Sequence, residues 1–72
     1  MTGARFYFRA IEIDGGRWAC RRGRIEYDIH GLLQDAIEHL TILARAHQPS
    51  EVIVHHLDGR TRRVVTVDPT SP

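Results

Sequence analysis

Three kinds of side chain in this 72-residue chain could do chemistry: a single cysteine, five histidines and ten arginines. Cys20 would need a neighbouring base in a polar setting to act as a nucleophile. Alternation along its strand instead places it beside Trp18 on a helix-facing side, as a buried structural thiol. The histidines are residues 30, 39, 47, 55 and 56. His55 and His56 are adjacent on a strand, so they point to opposite faces and cannot share a metal. Asp35 and His39 stand four apart on a helix and could offer two ligands, but two ligands without a third make a weak site. No Cys/His spacing is that of a structural zinc site, so no metal and no cofactor are expected. The carboxylates are scattered over turns, caps and strands, and Asp14 and Asp58 are turn residues. The chain has no phosphate loop, Ser/His/Asp arrangement or dinucleotide fingerprint. A non-enzymatic protein is the expectation.

The arginines are the stronger lead. All ten residues counted as Lys+Arg are Arg, and the net charge is only +1, which argues against a generic polyanion sponge. Arg makes planar, bidentate contacts with phosphate that Lys cannot. Nine of the ten lie in segments that read as strands or hairpins, while Asp35 and Glu38 mark the helix surface. Arg9, Arg17, Arg21, Arg22, Arg24, Arg60, Arg62 and Arg63 are the candidate phosphate contacts, with Tyr7 among them to stack on a base. Arginines on strands also serve without any nucleic acid. Edge strands carry charge to block aggregation, and Arg can pair across strands with Glu12, Glu26 and Glu51. An anionic protein partner would use the same charges.

The elements that must position these residues follow from periodicity. Residues 5–13 are aromatic and β-branched and read as a strand, Asp14-Gly15-Gly16 as a turn, and residues 17–27 as a second strand in which Gly23 marks a bulge, a bend or the end of pairing. Asp28 is then the expected cap of a helix. Its apolar stripe runs through Ile29, Leu32, Leu33, Ala36, Ile37, Leu40, Leu43 and Ala44, with Ile42 off the stripe, and Pro49 ends it. Residues 52–65 read as a hairpin closed on Asp58-Gly59, a dipeptide suited to a two-residue turn. The expected fold is α+β in the order ββαββ, with one amphipathic helix on a small antiparallel sheet of two hairpins. Phe6, Phe8, Ala10, Trp18, Cys20, Val52, Val54 and Val65 would face the helix. The opposite face would carry Arg5, Arg9, Arg17, Arg21, Arg60 and Arg62 with Tyr7, Ile11, Ile13, Ile53, His55, Leu57 and Val64.

Length limits what such a fold can bury. Residues 1–72 make a single small domain, ordered over about 4–67 with a frayed tail at 68–72. A chain of this size buries only about 60% of its unfolded surface. One cysteine allows no internal disulfide, so a homodimer is expected, with Ile11, Ile13, Ile53 and Val64 as interface residues. The N-terminus has no signal-peptide layout and no apolar run approaches about 20 residues, so a cytoplasmic setting without membrane contact is expected.

Gly15-Gly16-Arg17-Trp18-Ala19-Cys20-Arg21-Arg22, the amphipathic helix, Glu51-Val52-Ile53-Val54-His55 and Asp58-Gly59-Arg60-Thr61-Arg62 together resemble the small bacterial proteins grouped as domain of unknown function 2188. The resemblance spans residues 6–65 and is most specific in the Asp-Gly-Arg hairpin. Cys20 stands where that family has Val, and the stretch 26–30 lacks its Ser/Thr helix cap. The resemblance implies the fold and brings no catalytic residue. Two functions remain open: a regulatory module that binds nucleic acid through arginine-bearing strands, and a homodimeric protein-interaction module, antitoxin-like or an accessory subunit, with no nucleic-acid role.

Overall fold

A computed structural model describes residues 5–69. The segment 17–27 is not one strand. Gly23 adopts φ +59°, and Arg24, like every described non-glycine residue, keeps φ negative. A positive-φ glycine at the first of two central turn positions is the pattern of a type II′ hairpin. The chain therefore reverses once more than expected. Its elements are β1 (Phe6–Asp14), β2 (Arg17–Arg22), β3 (Ile25–His30), α1 (Leu33–Ala46), β4 (Ser50–His55) and β5 (Thr61–Val67).

That extra strand overturns the two-hairpin antiparallel sheet. The order is βββαββ, and the five strands form one mixed sheet in the order β3-β2-β1-β4-β5. β1 and β4 are its parallel pair, with Phe6 beside Ser50 and Ile11 beside His55. The other neighbours pair antiparallel. The reason is chain direction. A 14-residue helix spans about 21 Å and a six-residue strand about 20 Å, so α1 carries the chain back along one strand length. After two strands that return would set β4 antiparallel to β1; after three it sets β4 parallel. The class remains α+β. Among the described residues, no helix is long and apolar enough to cross a membrane.

Asp28, expected to cap the helix, lies in β3. The helix starts after Leu32, which makes no side-chain cap hydrogen bond. Ile29 and Leu32, placed on the helical stripe by spacing, are 45% and 64% exposed outside it. The rest of the stripe does build the core. Ala36, Leu40 and Ala44 are fully buried against Phe8, Ala10, Trp18, Cys20, Val52 and Val54, and Phe6, Tyr27 and Val65 pack on the margin. Ser50 is buried and satisfied, its hydroxyl donating to the Ala44 carbonyl at 2.7 Å.

The β4–β5 turn is one residue longer than expected. His56 N–H donates to Arg60 C=O at 2.8 Å and Gly59 N–H to His56 C=O at 2.9 Å, leaving Leu57-Asp58-Gly59 as the loop. A two-residue type I′ turn would need positive φ at Asp58; here only Gly59 supplies it, at +93°. A register shift between Val52 and Ile53 then turns over the start of β5. Of the expected tail 68–72, residues 70–72 lie outside the described residues, while Asp68 pairs with Arg5 at 3.1 Å.

Leu40 is buried and Ile42 is 68% exposed, although both are helical aliphatics two residues apart. Leu40→Ala should destabilise the fold by about 2–5 kcal/mol, whereas Ile42→Ala should change it by less than about 0.5 kcal/mol. Urea denaturation of the two variants checks both.

Candidate functional site

The eight arginines singled out by type do not form one patch. Arg17 and Arg60 sit at one end of the sheet, each tied to its own turn carboxylate: Arg17 to Asp14 at 3.0 Å and Arg60 to Asp58 at 2.8 Å. The backbone N–H of Arg60 donates to the same Asp58 carboxylate at 3.0 Å and is the main cause holding that carboxyl below its ordinary range. Arg21 on β2 and Arg63 on the outer strand β5 lie on the face away from the helix, where they meet Glu26 at 3.6 Å and Glu51 at 3.7 Å. Both are cross-strand ion pairs of the kind that strand arginines form without a ligand. Arg62 is corrected. The register shift pairs it with buried Val54, so it stands on the helix side of the sheet. Val64, expected at an interface on the open face, packs against the core for the same reason. Ile11 and Ile53 do lie on the open face, beside Ala19 and Arg63, and Ile13 is exposed at the end of β1.

Arg9, Arg22 and Arg24 come together with Arg5 at the other end. β1 pairs with β4 from Phe6 onward but with β2 only from Arg9 onward, because β2 has by then entered its turn. The strands part there and leave a depression of about 440 Å³ lined by the four arginines with Phe6, Tyr7, Gly23 and Ile25. No carboxylate of the described residues lines it. The guanidinium of Arg9 lies over Tyr7 at 5.9 Å and that of Arg22 over Phe6 at 5.6 Å, both within cation–π range. Arg5 reaches away to Asp68 and Glu51 through two of its nitrogens. Its Nη1, and the Nε of Arg22, are buried without an acceptor among the described residues. Buried charged donors left unpaired are costly, and both belong to residues that line the depression.

Arg9 also donates to His55 Nε2 across the β1–β4 pair at 2.7 Å. That bond requires a neutral imidazole with its proton on Nδ1. Burial, and then the charge of Arg9, lower the His55 pKa.

A second cluster escapes any reading of residue spacing. Cys20 and Asp28 are cross-strand partners on β2 and β3, and His30 follows Asp28 on the same face. His39 reaches them from α1. Asp28 Oδ2 lies 3.1 Å from His30 Nε2 and 3.0 Å from His39 Nδ1, and the two ring nitrogens are 3.4 Å apart. Cys20 completes the group, with all the potential ligand atoms within 4.8 Å of one another. Burial, followed by Asp28, pushes the thiol of Cys20 up to about 12. Asp35, the partner that helix spacing offered to His39, is not in this group. The only signal in the sequence is the i, i+2 placement of Asp28 and His30, and it is visible only once 25–30 is known to be a strand.

Residues 10–67 match the profile of a family described as an uncharacterized protein conserved in bacteria, domain of unknown function 2188. The chain belongs to that family. No curated protein matches it, and no solved structure does. The matched stretch contains the whole Cys20–His39 cluster but leaves out residues 5–9, which form one wall of the arginine-lined depression.

Because the folded state favours neutral His55, the unfolded chain binds more protons near and below the ordinary histidine value of 6.5. Stability therefore falls as pH drops through that value. His55→Gln should lose less stability than the parent between about pH 7.5 and about pH 5.5 in urea titrations. An unchanged pH dependence would remove His55 as its source.

Proposed function

We propose that this protein is a non-enzymatic, cytoplasmic module that binds single-stranded nucleic acid at the arginine-lined end of its sheet. One observation carries the proposal: Arg5, Arg9, Arg22 and Arg24 share a depression with Tyr7 and Phe6, and no carboxylate of the described residues lines it. Arginines track the phosphates, and Tyr7, 43% exposed, offers a ring face to a base. A duplex suits the site less well, because the depression is a narrow gap between diverging strands rather than a protruding ribbon or helix. Arg17 and Arg60 take no part. They lie at the far end of the sheet and are neutralised by their own turns.

Fluorescence anisotropy with a labelled oligothymidylate over a salt series tests this. Each phosphate contact on a single strand contributes about −0.7 to the slope of log K against log salt, so Arg9, Arg22 and Arg24, the lining arginines without a carboxylate partner among the described residues, give about −2.1. Arg24→Ala should reduce the magnitude of the slope by about 0.7, and Arg60→Ala should leave it unchanged. Tyr7→Ala should weaken binding by about 1–3 kcal/mol, as loss of a stacking platform does. No binding at low salt, or equal effects of Arg24→Ala and Arg60→Ala, would overturn the proposal.

The open sheet face supports a second function, self-association. Ile11, Ile29 and Ile53 lie there, with Ala19 buried between Ile11 and Ile29, and Ile29 is 45% exposed. An apolar strip of this kind is a common interface. Light scattering should then give a dimer that Ile53→Asp converts to a monomer, and a parent that is monomeric at high concentration rules it out.

A further inference from the structure

The Cys20–Asp28–His30–His39 cluster has the composition and dimensions of a metal site. A tetrahedral zinc ion with Zn–N bonds of about 2.0–2.1 Å sets its nitrogen ligands about 3.3–3.4 Å apart. His30 Nε2 and His39 Nδ1 are 3.4 Å apart. Asp28 Oδ2 caps the same triangle at 3.1 and 3.0 Å from them, a few tenths of an ångström inside the tetrahedral edge. The fourth vertex is Cys20 Sγ. A zinc-bound thiolate stands about 3.6 Å from its neighbouring ligands. The sulfur here is within 4.8 Å of all of them, so closure needs a movement of no more than about 1.2 Å in side chains that already converge.

We propose that Cys20, Asp28, His30 and His39 bind one zinc ion, which staples β2 and β3 to α1. Thiolate and imidazole donors with one carboxylate suit zinc over the harder divalent ions. On binding, the Cys20 S–H bond breaks, its proton passes to solvent, and the sulfur forms the Zn–S bond without any redox change. The two imidazoles coordinate as neutral rings, His30 through Nε2 and His39 through Nδ1. The site has a structural purpose. A 72-residue chain with one cysteine has no disulfide within it, and a small fold commonly draws on a metal instead. The ligands come from three elements, so the ion would add a direct link among β2, β3 and α1 to the core packing and the Asp28–His39 contact that already join them.

The test uses the full chain after chelator treatment and dialysis. Zinc titrated by calorimetry should bind at one equivalent and raise the thermal midpoint. Cobalt(II) in its place should give intense visible bands of a tetrahedral ion and a near-ultraviolet thiolate charge-transfer band. Cys20→Ser should abolish the charge-transfer band. His39→Ala should lower zinc affinity by more than the about 10- to 100-fold that loss of an outer-shell partner costs. His56→Ala, a histidine outside the cluster, should bind zinc as the parent does. The wild-type measurements stand even if a variant fails to fold. Absence of both the cobalt bands and the zinc-dependent midpoint shift would overturn the proposal. So would zinc affinity that His56→Ala reduces and His39→Ala does not.

Discussion

The reversal at Gly23-Arg24 governs the direction of every element after it. Three strands precede the helix, so α1 starts at the end of the sheet where β1 finishes and returns the chain to where β1 began. β4 must then run parallel to β1, and the helix must cross β2 and β1 to bring it there. A glycine is needed for that turn because its φ of +59° is strained for any residue with a Cβ. Nothing crowds the position, since a Cβ there would meet no atom within 4 Å. The constraint is therefore conformational and not one of space.

Both candidate sites are products of the same reversal. The turn carries Arg22 and Arg24 to the start of β1, where pairing with β2 has lapsed and Phe6, Tyr7 and Arg9 line the gap. The strand that follows it places Asp28 opposite Cys20 and His30 opposite Trp18, under the middle of α1. Had residues 17–27 stayed one strand with a helix from Asp28, Asp28 and His30 would sit on the first helical turn. His39 would then be more than two turns away. The cluster exists because a strand and a helix face each other across the first layer of the core. Tyr27, which stacks near Phe8 and meets His39 edge-on, fills the space between cluster and core.

The sequence displays the core far better than the topology. Apolar periodicity identifies Ala36, Leu40 and Ala44 on one side and Phe8, Trp18, Cys20, Val52 and Val54 on the other, because burial depends on local period alone. Strand order depends instead on the parity of chain reversals, and a single unread turn inverts it. The bulges are hidden for a related reason. A shift at Val52/Ile53 moves Arg62 and Val64 to the other face, and no residue type in β5 announces it. For the arginines, residue type is visible and partner is not. Arg21 and Arg63 find Glu26 and Glu51 only through sheet register.

The edges of the sheet account for much of the remaining charge. β3 and β5 are the outer strands, and each is distorted by a register shift against its neighbour. Bulges and charged side chains both discourage an edge from pairing with another chain. Glu26 on β3 and Arg62 and Arg63 on β5 supply that charge in exposed positions. Edge protection thus suffices for Arg62 and Arg63 without any ligand, as turn pairing does for Arg17 and Arg60. The same reasoning does not dispose of Arg22 and Arg24. They flank a gap rather than an edge, have no carboxylate in the lining beside them, and Arg22 sits against the ring of Phe6. Arg22 and Arg24 are therefore set apart by the carboxylate-free depression they share at the Gly23 end of the sheet, while Arg5 beside them is already paired with Glu51 and Asp68.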